Sequence, residues 1–323
     1  MTLLFDATLL LLAFFVGYAI RRGTICSVYA TRALIVDRRV GRFRAFFVAA
    51  AGSGAVIVPL HWAIPDIAVL SPGYPVTWMV IFAGAAFGIG ARINGACALG
   101  TLSHLTGGEV SYAATIIGMV VGAVSVRVIG TAMGQSAMPH PSPLEVPTTG
   151  GIAFIMALAL ILIAALYRRV PRWWRGLSDP SGMRMGPYRS MLVVGICGGL
   201  LYALAGSWTY MSVLSQRAAR VVDPSLAPNG WPALLSALVL VAGGVTAALR
   251  TQSFELRAPK FIIAMRCLMG GTIMGASAAM IPGGNGTMLV HGLPSLAPHA
   301  IAAYTSMTIV LCLTFIFRRP QKT

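Results

Sequence analysis

The sequence predicts an all-α membrane protein whose chain crosses a lipid bilayer about nine times. Composition, hydropathy and the spacing of apolar stretches lead to this class. Of the 323 residues, 57% are hydrophobic and only 10% are charged, and the mean hydropathy is +0.80. A soluble domain carries roughly 25% charged residues, so this chain lacks the polar surface that a globule in water needs. Its apolar stretches have about the 20 residues that one transmembrane helix takes.

Nine apolar segments follow one another along the chain. They cover about residues 7–20, 43–64, 78–94, 112–133, 150–168, 190–206, 231–249, 262–281 and 299–317. Several are shorter than a full span. Backbone that leaves a helix at membrane depth must line a cavity inside the protein, because lipid cannot pair with its polar groups. We therefore expect short re-entrant helices, with 95–111 and 207–230 as the places where the chain dips back.

The positive charges alternate between connections and predict the orientation. Twenty of the 24 lysines and arginines lie in 21–44, 168–189, 250–266 and the tail after residue 317. The connections 65–77, 134–149 and 282–298 contain none. Positive residues are retained on the cytoplasmic side, so the N-terminus is expected outside and the C-terminus in the cytoplasm of a bacterial inner membrane. The net charge of +16 is thus a topology signal and does not indicate nucleic-acid binding.

Two parts of the chain resemble each other weakly. Residues 24–33, TICSVYATRA, and residues 209–218, TYMSVLSQRA, are identical at five of ten positions. At a similar offset, five positions within 84–104 match five within 271–291. Segments one to four would then correspond to segments six to nine.

This correspondence predicts inverted halves. Equivalent segments are five crossings apart, and an odd number turns one half upside down relative to the other. We expect 1–136 and 190–323 to form two inverted halves of four spans each, joined by a connecting span and loop in 137–189. Inverted repeats occur in many secondary transporters, whose solute sites lie where broken helices meet near the midplane.

Glycine-rich breaks in three segments are the strongest candidates for a solute site. Gly23 lies three residues before Cys26, and four glycines surround Cys97 in the stretch GIGARINGACALG of residues 88–100. In the second half, PGGNG at 282–286 cannot continue a helix. Glycine lets backbone approach a ligand closely, and the N–H groups freed at a helix start can face an anion.

Residues 17–37 and 88–108 resemble the YeeE/YedE family of membrane proteins, the thiosulfate transporters. The matching motifs are Arg22-Gly23-Thr24-Ile25-Cys26 and Gly88-Ile89-Gly90-Ala91-Arg92, which leads through Gly95-Ala96-Cys97 to Gly100. The resemblance covers the first half well, whereas the second half matches in layout only.

The resemblance implies an hourglass of two inverted halves in which thiosulfate passes a waist by hydrogen bonding to cysteine thiols. The two matching positions are Cys26 and Cys97. The family's third cysteine would fall at Gly284, or at Gly283 after a shift of one residue, and no cysteine stands there. Thiosulfate or another small sulfur compound is therefore expected as the solute.

From these motifs we predict one substrate pathway. Its residues are Cys26, Cys97, Thr24, Asn94, Gly95, Gly100, Thr101, Met211, Gly283, Gly284 and Asn285. A thiol is a weak donor on a soft atom, so it can hold a sulfur oxyanion without the tight grip of an arginine. Conduction needs such weak binding. No metal and no cofactor are expected, since the five cysteines form no CxxC pair.

Two other functions compete with transport. A membrane thiol enzyme would use Cys26 and Cys97 as a redox couple or to carry a persulfide, and it would need a low-pKa thiol near a cation. A structural subunit of a larger complex would use neither cysteine. Transport without catalysis is the favoured reading, and the resemblance also implies a small cytoplasmic sulfur-carrier protein as a partner. No P-loop motif is present, so direct use of ATP is not expected.

Overall fold

The protein, described here from a computed structural model, is an all-helical bundle over residues 2–132, 139–167, 169, 185–206, 208–222 and 231–317. The described helices are α1 Thr2–Gly23, α2 Ser27–Ile35, α3 Gly41–Ala63, α4 Trp78–Asn94, α5 Ala98–Leu105, α6 Ala113–Ala132, α7 Thr149–Leu166, α8 Pro187–Ala205, α9 Tyr210–Val222, α10 Trp231–Arg250, α11 Phe261–Met280, α12 Asn285–Thr287 and α13 Pro298–Phe317. A 3-10 turn, Val110–Tyr112, precedes α6, and a π-helical turn, Met288–Gly292, continues α12.

The prediction of about nine spans is confirmed. Within the described residues, nine helical stretches are long and apolar enough to cross a membrane, and each overlaps one of the nine segments expected from the sequence. Two of them run through a helix break, Leu4–Ile35 and Trp78–Leu105. Most of the arginine-rich connection 168–189, part of 134–149 and part of 207–230 lie outside the described residues.

The helices of the first half pack on those of the second half in matching pairs. α1 packs against α10 and α3 against α8, while α6 packs against α11 and α4 against α13. The short helices follow the same rule, with α2 against α13 and α9 against α6. Exchanging each helix for its expected repeat partner reproduces this set of contacts. The packing thus supports the expectation of two related halves, and the inversion stays a prediction.

α7 stands apart from this arrangement. It contacts α3, and only 6% of its apolar span is buried inside the protein. A helix that is apolar on all sides and barely buried needs lipid as its surroundings. This location agrees with the connecting role expected for the fifth span.

Glycines bring the paired helices into backbone contact. A methyl group added at Gly122 of α6 would lie 2.0 Å from the carbonyl oxygen of Thr272 in α11. One added at Gly275 of α11 would lie 2.0 Å from the carbonyl oxygen of Met119. Small residues at helix interfaces let backbones approach where lipid supplies no hydrophobic driving force. These glycines therefore determine how the two halves fit together.

Loops cover both ends of the bundle. On one side, the amide of Ser71 donates to Ser295 Oγ at 3.1 Å, and Ser142 Oγ donates to the Ser295 carbonyl at 2.8 Å. On the other side, the amide of Glu255 donates to the Gly107 carbonyl at 3.0 Å, and Arg21 Nη2 donates to the Ser253 carbonyl at 2.8 Å. Each loop is thus hydrogen-bonded to a segment that follows a helix break.

We predict that Gly122→Ala lowers the free energy of unfolding by about 1–3 kcal/mol, the usual cost of overpacking, because α6 must move away from α11. Gly130→Ala is the matched control in the same helix, since no atom lies within 4 Å of the added methyl. The thermal unfolding midpoint in detergent measures both. Equal midpoints for the two variants would contradict the role of Gly122 in packing.

Candidate functional site

Four helix breaks meet at the centre of the candidate site, at the starts of α2, α5, α9 and α12. The start of α2 contacts both α5 and α12, as described below. Tyr210 Oη, at the start of α9, donates to the Ala98 carbonyl of α5 at 2.9 Å. A methyl group added at Gly286 of α12 would lie 3.6 Å from Leu99 of α5. The sequence predicted broken segments, and the structure shows that the breaks converge.

Cys97 is the N-cap residue of α5 and is fully buried. Its Sγ accepts a hydrogen bond from the backbone amide of Ser27, the first residue of α2, with 3.3 Å between the two atoms. One helix start is therefore held against the other by an amide–thiol hydrogen bond.

Cys26 is the N-cap residue of α2 and is 9% exposed. Its side chain lies near that of Cys97, because the Cys97 sulfur accepts from the amide of the next residue, Ser27. Gly100 lies directly beside it, because a methyl group added there would come within 2.6 Å of the Cys26 sulfur. The absence of a side chain at Gly100 is thus what gives the Cys26 thiol its space.

Asn285 reaches the start of α2 from the second half. It is fully buried, and its Nδ2 donates to Ser27 Oγ at 2.9 Å. Its Oδ1 has no hydrogen-bond partner among the described residues. Tyr304 belongs to α13, which packs on α2, and lies near Ser27. Ser27 is therefore the residue at which Cys97, Asn285 and Tyr304 come together.

Other expected pathway residues brace the break between α4 and α5. Asn94 Nδ2 donates to the Ala96 carbonyl at 2.7 Å and to Thr101 Oγ1 at 3.0 Å, while Thr115 Oγ1 donates to Asn94 Oδ1 at 2.8 Å. Gly95 ends α4 with a φ of 83°, a left-handed conformation that favours glycine. These contacts hold the chain so that Cys97 can begin α5.

Thr24 and its surroundings form one edge of the site. Thr24 is exposed and has a φ of 47°, an unusual conformation that reverses the chain between α1 and α2. Arg42 Nη1 donates to Thr24 Oγ1 at 3.3 Å, and its guanidinium lies 4.6 Å from the ring centroid of Tyr29. The positively charged guanidinium of Arg42 therefore lies close to the helix break that contains Cys26.

Hydroxyl groups occupy the region of the expected third cysteine. Gly284 is the N-cap residue of α12, and the neighbouring Gly283 packs against Thr287, with 3.2 Å from an added methyl group to Thr287 Cγ2. Tyr202 Oη and Thr287 Oγ1 are 2.6 Å apart. Met211 lies in α9, and its side chain is outside what the structure describes.

Comparison with known proteins identifies the family. A family model described as Sulphur transport matches residues 22–313. The chain belongs to this family. The resemblance to the YeeE/YedE proteins is thereby confirmed, and a comparison with curated proteins found no match. With its nine candidate spans, this member of the sulfur-transport family is a multi-pass membrane protein.

Sequence reasoning missed three residues of the candidate site. Ser27 directly follows Cys26 and aligns with Ser212 in the internal repeat, which was the signal that could have found it. Tyr210 starts a short helix next to Met211. Tyr304 lies within an uninterrupted apolar segment, so nothing in the local pattern distinguishes it.

We predict that Gly100→Ala reduces uptake of the transported sulfur compound roughly tenfold, because the added methyl displaces the Cys26 thiol; tenfold corresponds to about 1.4 kcal/mol. Gly286→Ala is the matched control in the opposing segment, where the nearest atom lies at an ordinary 3.6 Å. Initial uptake rates in proteoliposomes with equal amounts of folded protein give the comparison. Equal uptake by the two variants would show that Gly100 is not part of the pathway.

Proposed function

We propose that this protein imports thiosulfate, or a sulfur oxyanion of similar size, through the junction of the four helix breaks. The observation that carries the proposal is the closeness of two buried cysteines at the starts of α2 and α5, on either side of an amide–sulfur hydrogen bond at Ser27, which Asn285 reaches from the second half. Cys26 and Cys97 would pass the ion along by hydrogen bonding.

Neutral donors suit this task. The start of a helix carries roughly half a positive charge, so two such ends attract an anion without fixing it. An S–H group adds a weak donor. A site built from these groups binds loosely enough to release the ion, whereas a buried arginine fork would hold it.

Asn285 can adjust to the ion. Its amide now donates to Ser27 and leaves its own oxygen without a partner among the described residues. Rotation of the amide by 180° would let its oxygen accept from the Ser27 hydroxyl and would turn its N–H donors to the side that its oxygen now faces. The energy gained from pairing a buried polar atom favours this rotation when an anion arrives.

Tyr202 and Thr287 provide a continuation of the pathway at the place of the absent third cysteine. Their paired hydroxyl groups can both donate and accept, so they can replace a thiol as a neutral donor. Gly283 and Gly284 keep the backbone there accessible. We propose that this pair receives the ion on the side of the second half.

The loops at the two ends give a physical reason for two inverted halves. Each end is closed by a loop that is hydrogen-bonded to a segment next to a break. Passage of an ion therefore requires the loops to open, and related halves can open toward opposite sides in turn. The charge pattern assigns the end with Arg42 and residues 250–257 to the cytoplasm. A small sulfur-carrier protein that collects the ion there is part of the proposal.

We predict that Cys26→Ala and Cys97→Ala each reduce uptake of radiolabelled thiosulfate into proteoliposomes roughly tenfold, a loss of about 1.4 kcal/mol. Cys312→Ala is the matched control, because Cys312 lies partly exposed on α13 and away from the breaks. Normal uptake in both site variants would remove the thiol mechanism. No uptake by the unmodified protein would point to another sulfur or selenium compound.

Asn285→Asp is predicted to reduce thiosulfate uptake by about tenfold or more, because a buried carboxylate repels an anion in a medium of low dielectric constant. Gln252→Glu makes the same chemical change at an exposed position and is expected to leave uptake unchanged. Uptake rates of both variants, normalised to folded protein, test this. An Asn285→Asp variant as active as Gln252→Glu would remove Asn285 from the pathway.

The closeness of the two cysteines also fits a redox couple, so a membrane thiol enzyme is the second candidate. The two functions differ in what reaches the interior of the vesicle. A transporter delivers thiosulfate unchanged, whereas an enzyme alters its sulfur atoms. Chromatography of the labelled compound recovered from proteoliposomes distinguishes intact thiosulfate from its products.

A further inference from the structure

A groove on the outside of the bundle combines apolar walls with two arginines. It lies over α4 between α11 and α13 and has a volume of about 790 Å³, within the range of roughly 300–1,000 Å³ typical of small-molecule sites. Ile89, Val310, Leu313 and Phe317 form its apolar walls. Ile89 is 44% exposed and Leu313 is 42% exposed, so the groove opens toward the surroundings of the protein. The two thiols, in contrast, are buried in the interior.

Both arginines lie at one end of the groove. Arg92 belongs to the last turn of α4, and its guanidinium lies 4.6 Å from the ring centroid of Phe315. Arg266 is exposed in the second turn of α11, and its Nε and Nη2 donate to the Ile93 carbonyl, both at 3.3 Å. A guanidinium has five N–H donors, so Arg266 keeps capacity for a further acceptor. No acidic residue is among those that line the groove.

The position of the groove matches a membrane surface. Its charged end is formed by the end of α4, the start of α11 and the end of α13, next to the basic connection 250–266. The positive-inside pattern assigns this side to the cytoplasm, where the leaflet carries anionic lipids. Basic groups near the cytoplasmic surface attract anionic lipid headgroups, and the exposed Arg266 lies at this level.

We propose that the groove binds one anionic phospholipid, with Arg92 and Arg266 holding the headgroup phosphate and the apolar walls holding an acyl chain. Arginine pairs with phosphate through parallel N–H donors, and the walls offer the acyl chain the contacts that it loses with other lipids. This proposal does not depend on which solute the protein carries.

The test uses the purified full-length protein, stripped of lipid in neutral detergent. Native mass spectrometry measures binding of dioleoyl phosphatidylglycerol against dioleoyl phosphatidylcholine, with glycerol 3-phosphate as a competitor. We expect the anionic lipid to bind preferentially. The double variant Arg92→Gln/Arg266→Gln should weaken its binding roughly 30-fold, because each basic group near the membrane surface accounts for about fivefold in affinity.

Two further variants keep the result interpretable. Arg250→Gln removes the same charge at the end of α10, outside the groove, and should leave lipid binding unchanged. Leu313→Trp fills the apolar part from an exposed position and should weaken binding without altering the charge. Equal binding of the two lipids, an equal loss in Arg250→Gln, or full competition by glycerol 3-phosphate would overturn the proposal. A double variant that binds lipid normally but loses thiosulfate uptake would also overturn it and make the groove a solute mouth.

Discussion

The structure depends on one constraint, that backbone interrupted at membrane depth must find partners inside the protein. The hydrogen bond from the Ser27 amide to the Cys97 sulfur meets this constraint for the start of α2 and joins it to the start of α5. It uses an N–H group that no helical carbonyl can satisfy and pairs it with a side chain from the other break. Sulfur is a soft, weak acceptor, so this bond joins the two helix starts and still leaves the Cys97 thiol available to other partners, as a bond to a strong acceptor would not.

Close packing of the halves makes this junction possible. Gly122 and Gly275 bring α6 and α11 into backbone contact, and the contacts of the first half are mirrored by those of the second. Such packing places the breaks of both halves at one point, so Asn285 can reach Ser27 across 258 positions of sequence. The local breaks and the packing of the halves thus depend on each other, because a shift of either helix pair would separate the groups that meet at the junction.

The sequence predicted the spans well, because span length and hydropathy are imposed directly by the thickness of the bilayer. It also located Cys26 and Cys97, since glycine-rich interruptions are visible in the local pattern. It missed Tyr304, whose closeness to Ser27 arises only from the packing of α13 on α2. It placed Asn94 in the pathway, which stays a prediction, and the three hydrogen bonds by which Asn94 braces the chain depend on geometry that residue type does not reveal.

The same electrostatic cost favours a junction whose described polar groups, at Ser27, Cys97 and Asn285, are neutral. A cation among the breaks would need a buried counter-ion or would bind a passing anion too firmly to release it. At the periphery, Arg42 stands near the break at Thr24, and Arg266 lies exposed at the end of the groove, where water or lipid headgroups offset the desolvation of the charge. One requirement therefore accounts for neutral donors at the centre and cations at the periphery. The protein must attract an anion and must also release it from its centre.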